Sequence, residues 1–271
     1  MIKTTEKDSK YYNLELKSVQ EILLDINSED YTVAKSVKES IPQILKLVEK
    51  TSELMSNNGR IFYIGSGTSG RLGIVDASEC LPTFGIDGKI YGIIAGGDKA
   101  IRKSQEYAED SKIQAWEDLK KYKLSKNDIV IGVSASGSTP YVVSCIEECN
   151  KNGIYTGCIT CNKNSPLANL CLYPIEVVVG PEYITGSSRM KAGTAQKMVL
   201  NMISTTVMIK LGRVFDNKMI DMKLSNSKLH KRAVRILKSI LNIGGEEAKK
   251  LIKENNNVRL SIEKFKSREK K

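Results

Sequence analysis

Two turns in this 271-residue chain gather hydroxyls and glycines in a way that could hold a phosphate. The first is Gly65-Ser66-Gly67-Thr68-Ser69-Gly70-Arg71 and the second is Ser134-Ala135-Ser136-Gly137-Ser138-Thr139-Pro140. Each follows a short apolar run and precedes helical spacing. Each therefore leaves the carboxyl end of a strand and opens a helix, where unpaired backbone N–H groups and the positive end of the helix dipole suit an anion. Glycine lets the backbone approach closely, and Ser and Thr add hydrogen bonds to phosphate oxygens without a point charge. The first turn lacks the Gly-Lys-Ser/Thr ending of a nucleotide-phosphate loop and fits the dinucleotide fingerprint poorly. One such turn could be an ordinary strand-to-helix connection. Two of one design favour a small phosphorylated ligand at the carboxyl edge of a sheet.

A third segment, Gly180 to Thr194, carries Ser187, Ser188, Arg189 and Lys191 just before a long helix. It could close over a ligand, or it could be a plain helix cap. On composition alone Glu79 is a solvent-facing carboxylate near a helix end, and Glu106, Glu109 and Asp110 form a charged helix face. Cys158 and Cys161 have the spacing of a redox or zinc pair, but no second pair matches and the only histidine is His230, in a Lys-rich helix. A strand end with two buried thiols accounts for them, and neither a metal nor a cofactor is expected.

The elements that must position these residues follow from periodicity. Residues 14 to 56 show helical spacing, with Ile41, Ile44, Leu45 and Val48 apolar, Pro42 suited to a first turn, and Asn57-Asn58-Gly59 as a stop. Strand-type runs are expected at 60–64, 90–94, 128–133, 154–159 and 173–179, interleaved with helices. The fold class is then α/β, a parallel sheet flanked by helices on both faces in three layers. Beyond Met222 the chain becomes helical and more charged, with breaks at Gly244-Gly245 and Asn255-Asn256-Asn257. The expected division is 1–222 as the catalytic domain with its N-terminal helices and 223–271 as a small helical C-terminal appendage.

Lys and Arg number 42 against 31 Asp and Glu, a formal charge of +11. The excess is mostly Lys spread along surface-type helices and crowded only at the tail 263–271. No RNA-binding, zinc-finger or aromatic-plus-basic pattern accompanies it, so no nucleic-acid partner is expected. The most apolar stretch, 198–211, is broken by Asn201 and Lys210 and reads as a core helix, not a membrane span. Six scattered cysteines and no signal peptide fit reduced thiols in a cytoplasm.

The phosphate turns resemble the sugar isomerase (SIS) domain, and the chain as a whole resembles the N-acetylmuramic acid 6-phosphate etherases within it. Three segments carry the resemblance: Tyr63 to Gly73 with Asp76-Ala77-Ser78-Glu79-Cys80; Ile94 to Gly97 with Glu106 to Asp110; and Gly180 to Asn201. It implies an SIS-type fold. It implies sugar-phosphate contacts from Ser69, Ser134, Ser136 and Thr139, with Ser187 and Ser188 as further sugar contacts; Ser66, Thr68, Ser138 and Lys191 are expected as substrate contacts from the segments that carry them. It implies Glu79 as proton donor, Glu109 as second catalytic glutamate, and a homodimer. The sequence departs from the family pattern at Leu81, Tyr107 and Ser138, where proline, glycine and arginine are usual; no carboxylate or phosphate-facing hydroxyl of the pattern is lost.

The implied reaction removes the D-lactyl ether at C3 of the sugar. An ether leaves poorly unless its oxygen is protonated, and the C2 proton becomes acidic once the sugar opens to its aldehyde. One carboxyl must donate and one carboxylate must accept a proton, each contributing roughly 10²- to 10⁴-fold. Two other readings stay open: an aldose–ketose isomerase of the same superfamily, with a carboxylate base beside C2, and a sugar-phosphate-sensing regulator.

Overall fold

The computed structural model describes residues 3–269, so Lys270 and Lys271 of the basic tail lie outside it. The chain divides into two compact units, Met1–Ala77 with Lys89–Val207, and Ser78–Gly88 with Met208–Lys271.

In the first unit, helices α1 (Val19–Glu39) and α2 (Ile41–Ser56) precede β1 (Ile61–Gly65) and α3 (Gly67–Phe84). There follow β2 (Ile90–Ile94), α4 (Lys99–Arg102), α5 (Gln114–Lys120), β3 (Ile129–Val133), α6 (Pro140–Lys151), β4 (Tyr155–Thr160), α7 (Pro166–Leu170), β5 (Tyr173–Glu176) and α8 (Lys191–Lys210). Helix α1 starts with a capping box: the Ser18 hydroxyl accepts from the Glu21 N–H while Glu21 reaches back to the Ser18 N–H. Pro42 stands in the first turn of α2, where a missing N–H costs nothing. Helix α2 buries Ile44, Leu47 and Val48, whereas Ile41 and Leu45 face outward.

All five strands are parallel, in the order β2-β1-β3-β4-β5. The side chains of Phe62, Ile64, Val130 and Cys158 enter one core with Leu119, Tyr141, Val142, Ile146 and Leu167 from α5, α6 and α7. The opposite face meets α2 and α3: a Cβ on Gly157 would lie 2.6 Å from Leu47, and one on Gly73 would lie 2.9 Å from Tyr63. Every residue of β1 and β3 is buried, as runs of Ile, Val, Phe and Tyr require in a sheet covered twice. Strand β5 is shorter than the apolar run 173–179. Only the Val177 N–H continues its ladder, to the Thr160 carbonyl at 2.8 Å, before Gly180 turns at φ +77.

In the second unit, β6 (Val214–Phe215) and β7 (Lys218–Met219) form an antiparallel pair, followed by α9 (Ser227–Leu241), α10 (Gly245–Asn255) and α11 (Val258–Glu269). Its core is Ile220, Met222, Ala233, Leu237, Ala248, Leu251, Ile252 and Val258. The Arg259 guanidinium grips Asp221 with two hydrogen bonds of 2.7 and 2.6 Å. The final turns of α3 lie in this unit, and Gly85 at φ +63 is needed there because a Cβ would lie 2.1 Å from the Asp221 carbonyl.

The six cysteines are free thiols, five of them buried. No described helix is long and apolar enough to cross a membrane.

Candidate functional site

The strand order places β1 and β3 side by side while their neighbours on either side, β2 and β4, are reached in opposite directions. This is the topological switch point, outside whose carboxyl ends α/β sheets bind ligands. Gly65, the last residue of β1, is in register with Val133, the last of β3. The first and second turns therefore leave the sheet next to each other.

The second turn holds itself together through its hydroxyls. Ser134 Oγ accepts from the Gly137 N–H at 3.1 Å and Ser136 Oγ accepts from the Ser138 N–H at 3.2 Å. Ser134 Oγ lies 2.9 Å from Thr139 Oγ1 and 3.4 Å from Ser136 Oγ, and Ser138 Oγ donates to Ser136 Oγ at 3.2 Å. The four predicted hydroxyls thus share one small volume at the start of α6. Hydroxyls that already accept from backbone N–H groups keep protons to aim at an anion. Gly137 is obligatory: its φ is +67, and a Cβ would lie 2.3 Å from Ser165 Oγ.

The first turn spends its hydroxyls on other elements. Ser66 Oγ donates to Glu109 Oε2 at 2.9 Å, across from the 3-10 turn Glu106–Asp110. A cavity of about 100 Å³ is lined by Ser66, Gly67, Arg71, Glu106 and Glu109, which puts the exposed Glu109 beside the first turn. Ser69 is buried and donates to Gln196 Oε1 on α8 at 2.9 Å. Thr68 faces Gly193 of the same helix, where a Cβ would come within 3.4 Å of its methyl group. The third segment therefore abuts the first turn.

Within that segment, the cap of α8 is a carboxylate. Buried Glu182 accepts from the N–H groups of Lys191 and Ala192 at 2.8 and 3.0 Å. Burial pushes its carboxyl above the ordinary glutamate range, against the pull of those donors and of the Lys191 ammonium. Lys191 itself is 2% exposed and its ammonium pairs with Glu29 of α1. Although burial pushes Glu29 upward, the ammoniums of Lys191 and Lys10 leave its carboxyl below the usual value. Ser187 and Ser188 are half-buried, and the Ser188 carbonyl accepts from the Gly193 N–H at 3.0 Å. Arg189 is exposed.

Glu79 is exposed on α3, in the part of that helix belonging to the second unit. Between Thr68 and Glu79 on the same helix, Asp76 is buried and accepts from the Ser204 hydroxyl at 2.9 Å. Burial pushes its carboxyl up to about 6, opposed by Ser204, Tyr63 and Lys197. Gln196, Glu182, Glu29 and Asp76 are the polar residues near the turns that sequence reasoning missed. A charge or amide inside the helical pattern was the available signal for Asp76 and Gln196; Glu29 and Glu182 carried none. No group of three or more His, Cys, Asp or Glu among the described residues could hold a metal ion.

Three family models match the chain: the glucokinase regulatory protein N-terminal SIS domain over residues 43–150, the SIS domain over 113–205, and the C-terminal lid domain of glucokinase regulatory protein over 216–259. An N-acetylmuramic acid 6-phosphate etherase of Christiangramia forsetii is 56% identical over 97% of this chain and 96% of its own length. Another from Bacteroides thetaiotaomicron is 53% identical over 97% and 96%. A third, from Clostridium botulinum, is 48% identical over 96% and 87%. Among solved structures, a ligand-bound protein of Escherichia coli CFT073 aligns with a TM-score of 0.53 at 21% identity, over 74% of this chain and 96% of that one. A phosphoheptose isomerase from Neisseria gonorrhoeae aligns with a TM-score of 0.51 at 13% identity, over 70% and 98%. These likenesses bear on the fold.

Proposed function

The chain belongs to the N-acetylmuramic acid 6-phosphate etherase family, and from that premise we propose that it cleaves the D-lactyl ether of N-acetylmuramic acid 6-phosphate. The products are N-acetylglucosamine 6-phosphate and D-lactate, in amino-sugar catabolism in the cytoplasm. The observation that carries the reading to the chemistry is the Ser66–Glu109 hydrogen bond beside the second turn's hydroxyl cluster. It supports a carboxylate held at the turn that leaves the sheet next to the phosphate seat.

On this reading the phosphate sits on Ser134, Ser136, Ser138 and Thr139, with Ser69 and Thr68 on the other flank and Ser187 and Ser188 toward the sugar. Lys191 acts at one remove, holding α8 to α1 through Glu29. The open-chain aldehyde makes C2–H acidic. Glu109 takes that proton, the C3–O bond breaks with its electron pair going to the lactyl oxygen, and Glu79 protonates that oxygen as it leaves. Water then adds to the unsaturated aldehyde, its hydroxyl to C3 and a proton to C2. A carboxylate pinned by Ser66 is pre-oriented for the abstraction, which is what removing a carbon-bound proton needs.

The exposed apolar side chains Tyr12, Leu16, Val19, Leu23, Leu24 and Tyr31 support a homodimer, which sedimentation at micromolar concentration tests. The activity is tested by incubating the purified chain with N-acetylmuramic acid 6-phosphate in ¹⁸O-water. D-lactate should appear unlabelled, with the label on the sugar C3 hydroxyl. Aldose–ketose interconversion without lactate would replace this reading with an isomerase.

A further inference from the structure

The hydroxyl cradle of the second turn has no cation in its own sequence, Ser134 to Pro140. The start of the chain brings one. Thr4–Glu6 forms a single 3-10 turn in which Thr5 is fully buried. The Thr5 N–H donates to Asn162 Oδ1 at 3.3 Å, and Asn162 Nδ2 donates to Thr5 Oγ1 at 2.9 Å. The same Nδ2 reaches the carbonyls of Ala135 and Ser136 at 3.0 and 3.3 Å. Asn162 thus clasps the N-terminal segment to the phosphate turn. Farther along, the Ser9 hydroxyl donates to the Tyr183 carbonyl at 2.7 Å and the Ser9 N–H donates to Thr185 Oγ1 at 2.9 Å. The segment is fastened at both ends.

Two residues before the buried Thr5, the Lys3 ammonium donates to Ser138 Oγ. Ser138 is linked in turn to Ser136. Lys3 and Lys163 line a cavity of about 420 Å³ together with Ser136, Asn162 and Ser165. Ordering an exposed lysine costs rotamer freedom that a single bond to a hydroxyl does not return in full. The contact with Ser138 alone is thus a weak reason for the ammonium to be there. A phosphate dianion on the adjacent hydroxyls is a strong one, because there the ammonium meets a full opposite charge and not only the dipole of a hydroxyl.

We propose that Lys3 is a substrate-binding residue: its ammonium supplies the positive charge for a phosphomonoester seated on Ser134, Ser136 and Thr139, and residues 3–9 are part of the binding site. The proposal rests on reading the second turn as the phosphate seat. Lysine serves here as a point charge on a long stem, so arginine can replace it and a neutral amide cannot.

The test uses the full chain, inorganic phosphate binding by calorimetry, and steady-state D-lactate release. Lys3→Gln should raise both the phosphate Kd and the KM about ten-fold, with kcat within two-fold and an unchanged thermal midpoint. Lys3→Arg should stay near the wild type. Wild-type phosphate affinity in Lys3→Gln overturns the proposal, as does an equal loss in Lys3→Arg. Phosphate binding without lactate release would sink the etherase reading and leave Lys3 standing; no phosphate binding by the wild-type chain would sink both the seat and the role of Lys3.

Discussion

The two hydroxyl-rich turns share a strand-turn-helix design and a place at the switch point, yet they spend their side chains differently. In the second turn Ser134, Ser136, Ser138 and Thr139 bond to one another and to their own backbone, so its shape is decided locally. In the first, Ser66 reaches Glu109 and Ser69 reaches Gln196, residues 43 and 127 positions away. A local receptor can hold an anion in one geometry at little cost on binding. A turn tied to distant elements transmits position instead, here from the sheet to a carboxylate and to α8. Under the proposed function the same motif serves binding at one site and alignment at the other.

The sharpest way to break that contrast is Glu109→Gln. It should lower kcat about 10²- to 10⁴-fold while phosphate affinity stays within a few-fold, read from lactate release and calorimetry. A parallel loss of phosphate affinity would mean that the first turn binds as much as it aligns. Next in size, Gly137→Ala should cost about 2–4 kcal/mol in urea unfolding, because a Cβ at φ +67 meets Ser165 at 2.3 Å. Gly67→Ala in the first turn, at φ +51 with nothing within 4 Å, should cost only about 1 kcal/mol. Similar losses at the two glycines would erase the distinction between a locally packed turn and an open one.

Ser134→Ala should raise KM and phosphate Kd about ten-fold, near 1.4 kcal/mol, with kcat little changed, since it removes one donor and the acceptor of the Gly137 N–H. The smallest effect is expected at Asp76, on the helix that the first turn opens. Its folded-state value of about 6 lies above the ordinary 3.8, so ionisation weakens the native state: stability falls as pH rises from about 4 to 6 and levels off beyond. Asp76→Asn should be about 1 kcal/mol more stable than wild type at pH 7, once the weaker bonds an amide accepts from Ser204 are set against the gain. The gain should shrink as pH falls and reverse below about pH 4, where the wild-type carboxyl is protonated, as read in thermal melts; a gain that is independent of pH would contradict the assignment.

The sheet and its turns were legible because doubly covered parallel strands must be continuous apolar runs, as Ile61 to Ile64 and Ile129 to Val133 are, and because glycine marks where the backbone turns. The grouping of the second turn's hydroxyls was readable from residue types alone, its bonds being local. Glu109 carried no such signal; only the family resemblance singled it out, and its place beside Ser66 depends on the path of the chain between β2 and α5. Lys191 shows the limit most clearly. Its type and position near serines suggest a ligand contact, but its partner Glu29 lies 162 residues earlier, and no local pattern announces a buried ion pair between α1 and α8. The cap of α8 was likewise hidden, because Glu182 stands nine residues before Lys191, whose N–H it accepts from, not at the usual capping position.

The free cysteines have a practical consequence. Burial pushes the Cys145 and Cys161 thiols up, which starves them of the thiolate that alkylating reagents attack, and Cys80, Cys149 and Cys158 are buried as well. The chain is thus close to a silent background for thiol chemistry. A cysteine introduced at exposed Glu79 or Lys3 should label well ahead of the native six, giving a fluorescent or spin reporter at either carboxylate or cradle without first stripping the protein of its own sulfur.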